Sequence, residues 1–261
     1  MMRVDLYLFN FGYVKSRQKA KSLIEQGHVI INGNAIKKPS FEVDETVVNI
    51  VEISDPCPYV SRGGLKLEKI IKELSLNISG KIAIDIGAST GGFTHCMLLN
   101  GASRVYAIDS GTSQLDECLA KDERVISIEG FNARYLTFED IGQLVDIITI
   151  DVSFISQTLI IPAISSLLNE NGIYISLIKP QFEVGKGKIG KGGIVKDKKY
   201  RYEAVLDVIG CASKHGLNCY AVFESPIQGG DGNIEYIAAF SKKEKCLPLA
   251  QIKNLFNSKR G

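Results

Sequence analysis

The sequence predicts an α/β fold: a doubly wound, largely parallel sheet with an antiparallel final strand, preceded by a small α+β unit. Three observations predict it. Short apolar runs at 81–86, 104–108, 125–128, 145–150 and 172–178 alternate with segments of helical length, the pattern of a parallel sheet built from βα units. Two further strand-like runs, 218–224 and 234–240, are joined by the turn-rich "SPIQGGDGN", which is too short for a crossover helix, so they should pair antiparallel. The first 58 residues lack this alternation and carry their charge differently.

The bulk numbers bound the answer. A chain of 261 residues, 45% hydrophobic and 23% charged, has room for one large domain and one small one. Its net charge is only +2, so any affinity for nucleic acid must come from local clustering. The six cysteines form no C-x-x-C and the three histidines are scattered, so no metal site is expected and a reducing compartment is. Arg3 and Asp5 stand where a leader's apolar core would lie. The uncharged stretch 152–168 contains Pro162, Gln157 and four serines, short of the ~20 mainly apolar residues of a membrane span. A cytoplasmic protein with no membrane partner is expected, and nothing demands more than a monomer.

In the first unit, "VDLYLFNFGYV" has helical spacing and ends near Gly12. "SRQKAKSLIEQG" opens on an N-cap, Ser16, and closes on Gly27. "HVIINGNAI" is a strand, an Asn32-Gly33 turn and a second strand. Up to Lys38 there are seven Lys and Arg (Arg3, Lys15, Arg17, Lys19, Lys21, Lys37, Lys38) against Asp5 and Glu25, whereas every charge from 39 to 59 is acidic. Lys15, Arg17, Lys19 and Lys21 alone would read as a solvated helix face; the polarisation of the whole unit favours a phosphate-binding surface. The helix–helix–"GHVIING" arrangement, with Arg3, Asp5, Gly12, Ser16, Arg17, Ala20, Ile24, Gly27, Val29, Asn32 and Gly33, resembles the alpha-L RNA-binding domain first described in a small-subunit ribosomal protein. That resemblance implies RNA contacts by Arg3 together with the four helix cations, made to shape and backbone. The expected division is an RNA-binding domain over 1–58, a linker over 59–64 and a catalytic domain over 65–261.

Between the first strand of the sheet and its helix lies the loop "GASTGG". Gly87-x-x-x-Gly91-Gly92 is not the dinucleotide pattern, and no Lys-Ser/Thr pair follows it as in a phosphate-binding P-loop. Asp109 ends the second strand in "RVYAIDSG", where an acid can accept hydrogen bonds from both hydroxyls of a ribose. A glycine loop, a ribose-binding acid and no phosphate-binding lysine suit a nucleoside cofactor without phosphates. S-adenosylmethionine fits, and a parallel sheet closed by an antiparallel hairpin resembles the methyltransferase version of this Rossmann-like architecture. A tight turn without ligand and a helix N-cap remain the plain alternatives for the glycines and for Asp109. "GFNARYL" should lie near the adenine, with Asn132 bonding it or capping a turn.

Four charged residues stand in or beside otherwise apolar segments: Lys66 near the start of an amphipathic helix, Asp151 ending the fourth strand, Lys179 ending the fifth and Glu235 near the start of the last. Charges so placed are rare unless paired or functional, and an ion-pair network is the plain alternative. Together they match the Lys-Asp-Lys-Glu tetrad of the FtsJ-type ribose 2′-O-methyltransferases. The phrases "IDIGASTGGF", "IDVSFIS", "IKPQFEVGK" and "GNIEY", joined to an alpha-L domain, resemble the TlyA family over almost the whole chain. The family, also known as haemolysins, comprises rRNA methyltransferases that act on cytidine ribose.

The resemblance implies a class I methyltransferase domain and S-adenosylmethionine held by Asp85, Gly87, Ala88, Ser89, Thr90, Gly91, Gly92, Phe93, Asp109, Asn132 and Asp151. It also implies a ribosomal partner. The chain begins almost at its first helix and has a short tail, like the family's shorter form, which modifies the large subunit (23S rRNA), with 16S rRNA as the second candidate. A ribose hydroxyl must lose its proton as it attacks, and a lysine can take that proton only if burial or a neighbouring cation depresses its pKa. Lys179 is the expected base, Lys66 the neighbouring cation, and Asp151 and Glu235 the groups that hold them. The glycine-rich loop after the fifth strand carries Lys186, Lys188 and Lys191 and is expected to be a flexible RNA-clamping lid. A membrane-active haemolysin and a non-catalytic RNA-binding module are the rivals. The first lacks a suitable span, and the second needs neither the tetrad nor the loop.

Overall fold

The computed structural model describes residues 1–14, 16–54, 57–229 and 232–257. The chain divides into two compact units, Met1–Pro58 and Tyr59–Gly261.

The first unit runs β1 (Met2–Arg3), α1 (Val4–Asn10), α2 (Arg17–Glu25), β2 (Val29–Ile31), β3 (Asn34–Ile36), β4 (Glu42–Val43) and β5 (Val51–Ile53). Ser16 caps α2, its Oγ accepting from Lys19 N at 3.1 Å. The β2–β3 hairpin turns on Asn32 and Gly33, both at positive φ (50° and 76°), as a two-residue hairpin of the primed type requires. Val4, Leu8, Ala20, Ile24 and Val29 are fully buried and form its core. The short pairings of β1 with β4 and of β2 with β5 are not apparent from the sequence pattern.

The second unit runs α3 (Gly63–Glu73), β6 (Ile82–Ile86), α4 (Gly92–Leu99), β7 (Arg104–Ile108), α5 (Glu117–Ala120), β8 (Val125–Ile128), α6 (Phe138–Ile141), β9 (Val145–Ile150), α7 (Ile161–Ser165), β10 (Leu168–Ile178), α8 (Pro180–Glu183), α9 (Lys198–Lys214), β11 (Asn218–Glu224), β12 (Tyr236–Ser241) and α10 (Leu249–Asn257). The stretch 59–64, expected as a linker, is part of this unit. Tyr59 is buried, and Gly63 and Gly64 open α3 because a side chain at Gly64 would collide with the Tyr59 ring.

One seven-stranded sheet has the order β11-β12-β10-β9-β6-β7-β8. All strands are parallel except β12, which is antiparallel to both neighbours. The last strand therefore lies inside the sheet, between β10 and β11, and not at its edge. Alternate residues serve opposite faces. Ile84, Ile108, Ile148, Tyr174 and Phe240 join a core shared with α7, α9 and α10, while Asp85 faces the other way and bonds to Thr94 of α4. Strand order reverses between β6 and β9, and ligands of open α/β sheets bind beyond the strand ends at such a point.

Candidate active site

At the reversal point, Gly87 (φ 78°) passes so close to β9 that a Cβ on it would lie 2.5 Å from the Asp151 carbonyl oxygen. Any larger residue would push the first loop away from the fourth strand end. Beside this crossing opens a cavity of about 580 Å³, within the roughly 300–1,000 Å³ of small-molecule sites. Gly87, Ser89, Asp109, Asn132 and Asp151 line it, all expected from the sequence. No lysine or arginine is among its lining residues, so it offers two carboxylates and no cationic side chain.

The loop itself is drawn onto Asp109. Ser89 N donates to Asp109 Oδ2 and Gly111 N to Oδ1, each at 2.8 Å. Asn132 Oδ1 accepts from Arg134 N at 3.1 Å, so the residue caps a short turn and lines the cavity as well.

The other residues expected at the cofactor, Asp85, Ala88, Thr90, Gly91, Gly92 and Phe93, do not line this cavity. Asp85 is fully buried; Oδ2 accepts from Thr94 N and Oγ1 (2.9 and 2.7 Å) and Oδ1 from Thr149 Oγ1 (2.8 Å). It ties α4 and β9 to β6. Burial raises its carboxyl to about 6, against the hydrogen bonds from both threonines. Gly92 is a packing glycine: a Cβ there would lie 2.3 Å from Ser61 Oγ and 3.0 Å from Gly64 N, where α3 crosses α4. Phe93 and Ala88 are buried, and Thr90 faces out.

The four tetrad residues form two ion pairs at the strand ends. Lys179 Nζ lies 2.5 Å from Asp151 Oδ1 and donates to Ser153 Oγ at 3.0 Å. The contact with Asp151 is off the line of a hydrogen bond, and Oδ1 has no other donor although it is buried. Lys66 Nζ donates to Glu235 Oε2 at 2.6 Å. The register that sets Ile178 opposite Tyr236 brings Glu235 across from Lys179. Gly229 leaves room for the carboxylate, since a Cβ there would lie 2.5 Å from Glu235 Oε1.

Two nearby residues, both within the phrase "IDVSFIS", were not singled out as site residues from the sequence. Ser153 holds Lys179. Phe154 lines the cavity mouth, is 91% exposed, sits at φ 66° and packs against Phe182 with ring centroids 5.1 Å apart. A bulky residue in the left-handed region is a strained one. The motif itself was the available signal; the exposure and strained backbone of Phe154 add to it.

The lysine loop is less free than expected of a lid. Val195 is buried, its N–H bonded to Asn233 Oδ1 at 3.0 Å, and Arg201 donates to the carbonyls of Val195 and Lys196. Lys188 pairs with Glu203 at 2.6 Å, while Lys186 and Lys191 are exposed. Of the cations expected on RNA in the first unit, Lys15 lies outside the described residues. Arg3 and Arg17 both bond Asp5, through their Nε atoms at 3.0 and 2.8 Å. Asp5 is fully buried. Burial would raise its carboxyl, but the two arginines outweigh that and hold it below the ordinary range. Lys21 is exposed and Lys19 half-buried.

Among the described residues no group of three His, Cys, Asp or Glu is placed to hold a metal ion, and no helix is long and apolar enough to cross a membrane.

Comparison with known proteins adds the family context. Residues 59–242 match the FtsJ-like methyltransferase family and residues 2–48 the S4 domain. The 16S/23S rRNA (cytidine-2′-O)-methyltransferase TlyA of Mycobacterium tuberculosis is 41% identical over 90% of this chain and 87% of its own. The 23S rRNA (cytidine-2′-O)-methyltransferase TlyA of Campylobacter jejuni is 36% identical over 92% of this chain and all of its own (100%). A solved structure named "Putative hemolysin from Streptococcus thermophilus" superposes with a TM-score of 0.79 at 39% identity, covering 98% of this chain and 94% of that one.

Proposed function

The chain belongs to the FtsJ-like methyltransferases, within their TlyA, or hemolysin A-like, family, and on that premise we propose that it methylates the ribose 2′-oxygen of a cytidine in ribosomal RNA. The observation that carries this reading is the convergence of two lysine–carboxylate pairs on the strand ends beside a nucleoside-sized cavity.

Membership of the family implies S-adenosylmethionine as cofactor. The cavity suits it: two carboxylates and no cation fit a ligand that carries positive charge and no phosphate. When bound, that cofactor supplies a methyl group already activated on a sulfonium. Asp109 would take the ribose hydroxyls, Asn132 the adenine side and Gly87 with Asp151 the methionine side. Asp109 is pre-set for this, because Ser89 and Gly111 already orient both of its oxygens.

The protein's own part is to place and deprotonate the acceptor. Lys179 Nζ, positioned by Asp151 and Ser153, receives the 2′-hydroxyl proton as the neutral amine, after its ammonium proton has been released to solvent. Lys66, held by Glu235, contributes positive charge beside the developing alkoxide. The exposed face of Phe154 gives the target base a surface on which to stack, the usual way a splayed-out nucleotide is held. Holding the acceptor hydroxyl in place between Lys179 and the cavity would supply much of the remaining rate.

The S4 unit brings the RNA. Lys21, Lys19 and the outer edges of Arg3 and Arg17, with Lys15, would contact phosphates there, and Lys186 and Lys191 would do so beside the catalytic strand ends. We assign the substrate to 23S rRNA within the large subunit, in keeping with the Campylobacter relative that aligns along its full length. The test uses methyl-labelled S-adenosylmethionine, purified ribosomal subunits and digestion of the RNA to nucleosides. Label in 2′-O-methylcytidine from large subunits is expected. Label on a base, or none at all, would contradict the proposal.

A further inference from the structure

Glu129 follows β8 directly and is half-exposed, and nothing in the sequence pattern marks it. In the structure three consecutive backbone N–H groups converge on it. Ser113 N donates to Oε2 at 2.6 Å, and Gln114 N and Leu115 N donate to Oε1 at 3.0 and 3.4 Å. The turn so formed is not one the segment "SGTSQLD" would hold alone, because Ser113 sits at φ 56° without being glycine. The same three N–H groups, Ser113 first, hold the Glu129 carboxyl below its ordinary range. The charged form is thus the one that fixes the loop.

That loop is a wall of the cavity. Ser110, Gly111 and Gln114 line it, beside Asp109. The Gln114 amide folds across Gly111 so closely that a Cβ on the glycine would lie 1.8 Å from Nε2. Gly111 in turn donates to Asp109 Oδ1. A continuous set of contacts therefore runs from Glu129 through the 113–115 turn to Gln114 and the carboxylate expected to take the ribose.

We propose that Glu129 is a positioning residue for the cofactor, and that Gln114, which it places, is a further group contacting the hydroxyl-bearing edge of a nucleoside in this cavity. An amide beside a carboxylate offers that edge both a donor and an acceptor. Because the turn is held before any ligand arrives, the entropy of ordering it is not charged to binding. The inference rests on the reading that the cavity takes S-adenosylmethionine.

Calorimetric titration of the full-length protein with S-adenosylmethionine and with its demethylated product tests it. Glu129→Ala should raise both dissociation constants by roughly tenfold or more. Glu129→Gln should fall between, since its amide oxygen still accepts from Gln114 and Leu115 while its NH2 opposes the Ser113 N–H. Gln114→Ala should weaken the same two ligands without disturbing the turn. In turnover the loss should fall on the KM for the cofactor and not on kcat. Unchanged dissociation constants in Glu129→Ala would overturn the inference. So would equal losses of cofactor and ribosomal RNA affinity, which would mark a purely structural residue. A wild-type protein that bound neither ligand would instead overturn the reading of the cavity, and this inference with it.

Discussion

Lys66 and Glu235, 169 residues apart in the sequence, meet in an ion pair of 2.6 Å with side chains only 11% and 2% exposed. Removing one member leaves the other charged and buried, which typically costs about 3–5 kcal/mol. Glu235→Ala should therefore lower unfolding stability by an amount of that order and abolish methyl transfer. The double variant Lys66→Met with Glu235→Leu should recover most of the stability and none of the activity. Urea unfolding and a label-transfer assay on the three proteins separate the two effects. Activity in the stable double variant would mean that the pair only supports the fold.

Asp109→Ala should weaken S-adenosylmethionine more than loss of one ribose contact would, because the substitution also releases Ser89 and Gly111 from their anchor. Asp109→Asn keeps one acceptor oxygen and should lie between it and wild type. Titration calorimetry gives the ranking, and an unchanged affinity in Asp109→Ala would mean that the ribose is held elsewhere.

The arginine–Asp5 cluster changes how RNA targeting must be tested. Arg17→Glu sets a second carboxylate against a fully buried one, so it should lower both stability and RNA affinity. The Asp5 pairing contributes stability that is complete above the unfolded carboxyl's pKa and is lost as pH falls through its lowered folded value. Lys21 is exposed, so Lys21→Glu should reduce rRNA affinity and flatten its log–log salt dependence by about one unit, with no change in melting temperature. An unaltered salt slope would remove Lys21 from the RNA surface.

Asp85 predicts a pH signature. Burial raises its carboxyl to about 6 in the folded protein from an ordinary 3.8, so between those values the native state holds a proton that the unfolded chain has released. Stability should accordingly fall as pH rises from about 4 to about 6, by a few kcal/mol, and remain lower above that. Asp85→Asn should remove this slope, since Thr149 Oγ1 can accept from the new amide while Thr94 keeps its acceptor. Thermal unfolding across the pH series checks it; an identical slope in the variant would place the titration elsewhere.

The strands were legible because each is an apolar run bounded by turn residues, and Gly87, Asp109, Asp151 and Lys179 were legible because they stand at the ends of such runs. The interior place of β12 was not, since it depends on pairing with β10 and β11 across the chain. Asp85 was expected at the cofactor only through the family resemblance, and its hydrogen bonds to Thr94 and Thr149 and its place away from the cavity lining are set by packing that the sequence does not display. Arg17 reads from the sequence as a surface cation only; that it also neutralises the buried Asp5 is visible only in the structure. Glu129 was invisible because its partners are backbone N–H groups, which every sequence has.

Lys179, held 2.5 Å from Asp151, is the group we propose as the base for ribose methylation. Mapping ribose methyl groups across the ribosomal RNA of cells lacking the protein, and of the same cells given wild type or Lys179→Ala, tests it most directly. A cytidine 2′-O-methyl group in large-subunit RNA should disappear without the protein, return with wild type and stay absent with the variant. A methylation pattern indifferent to the protein, or one that Lys179→Ala restores, would contradict it.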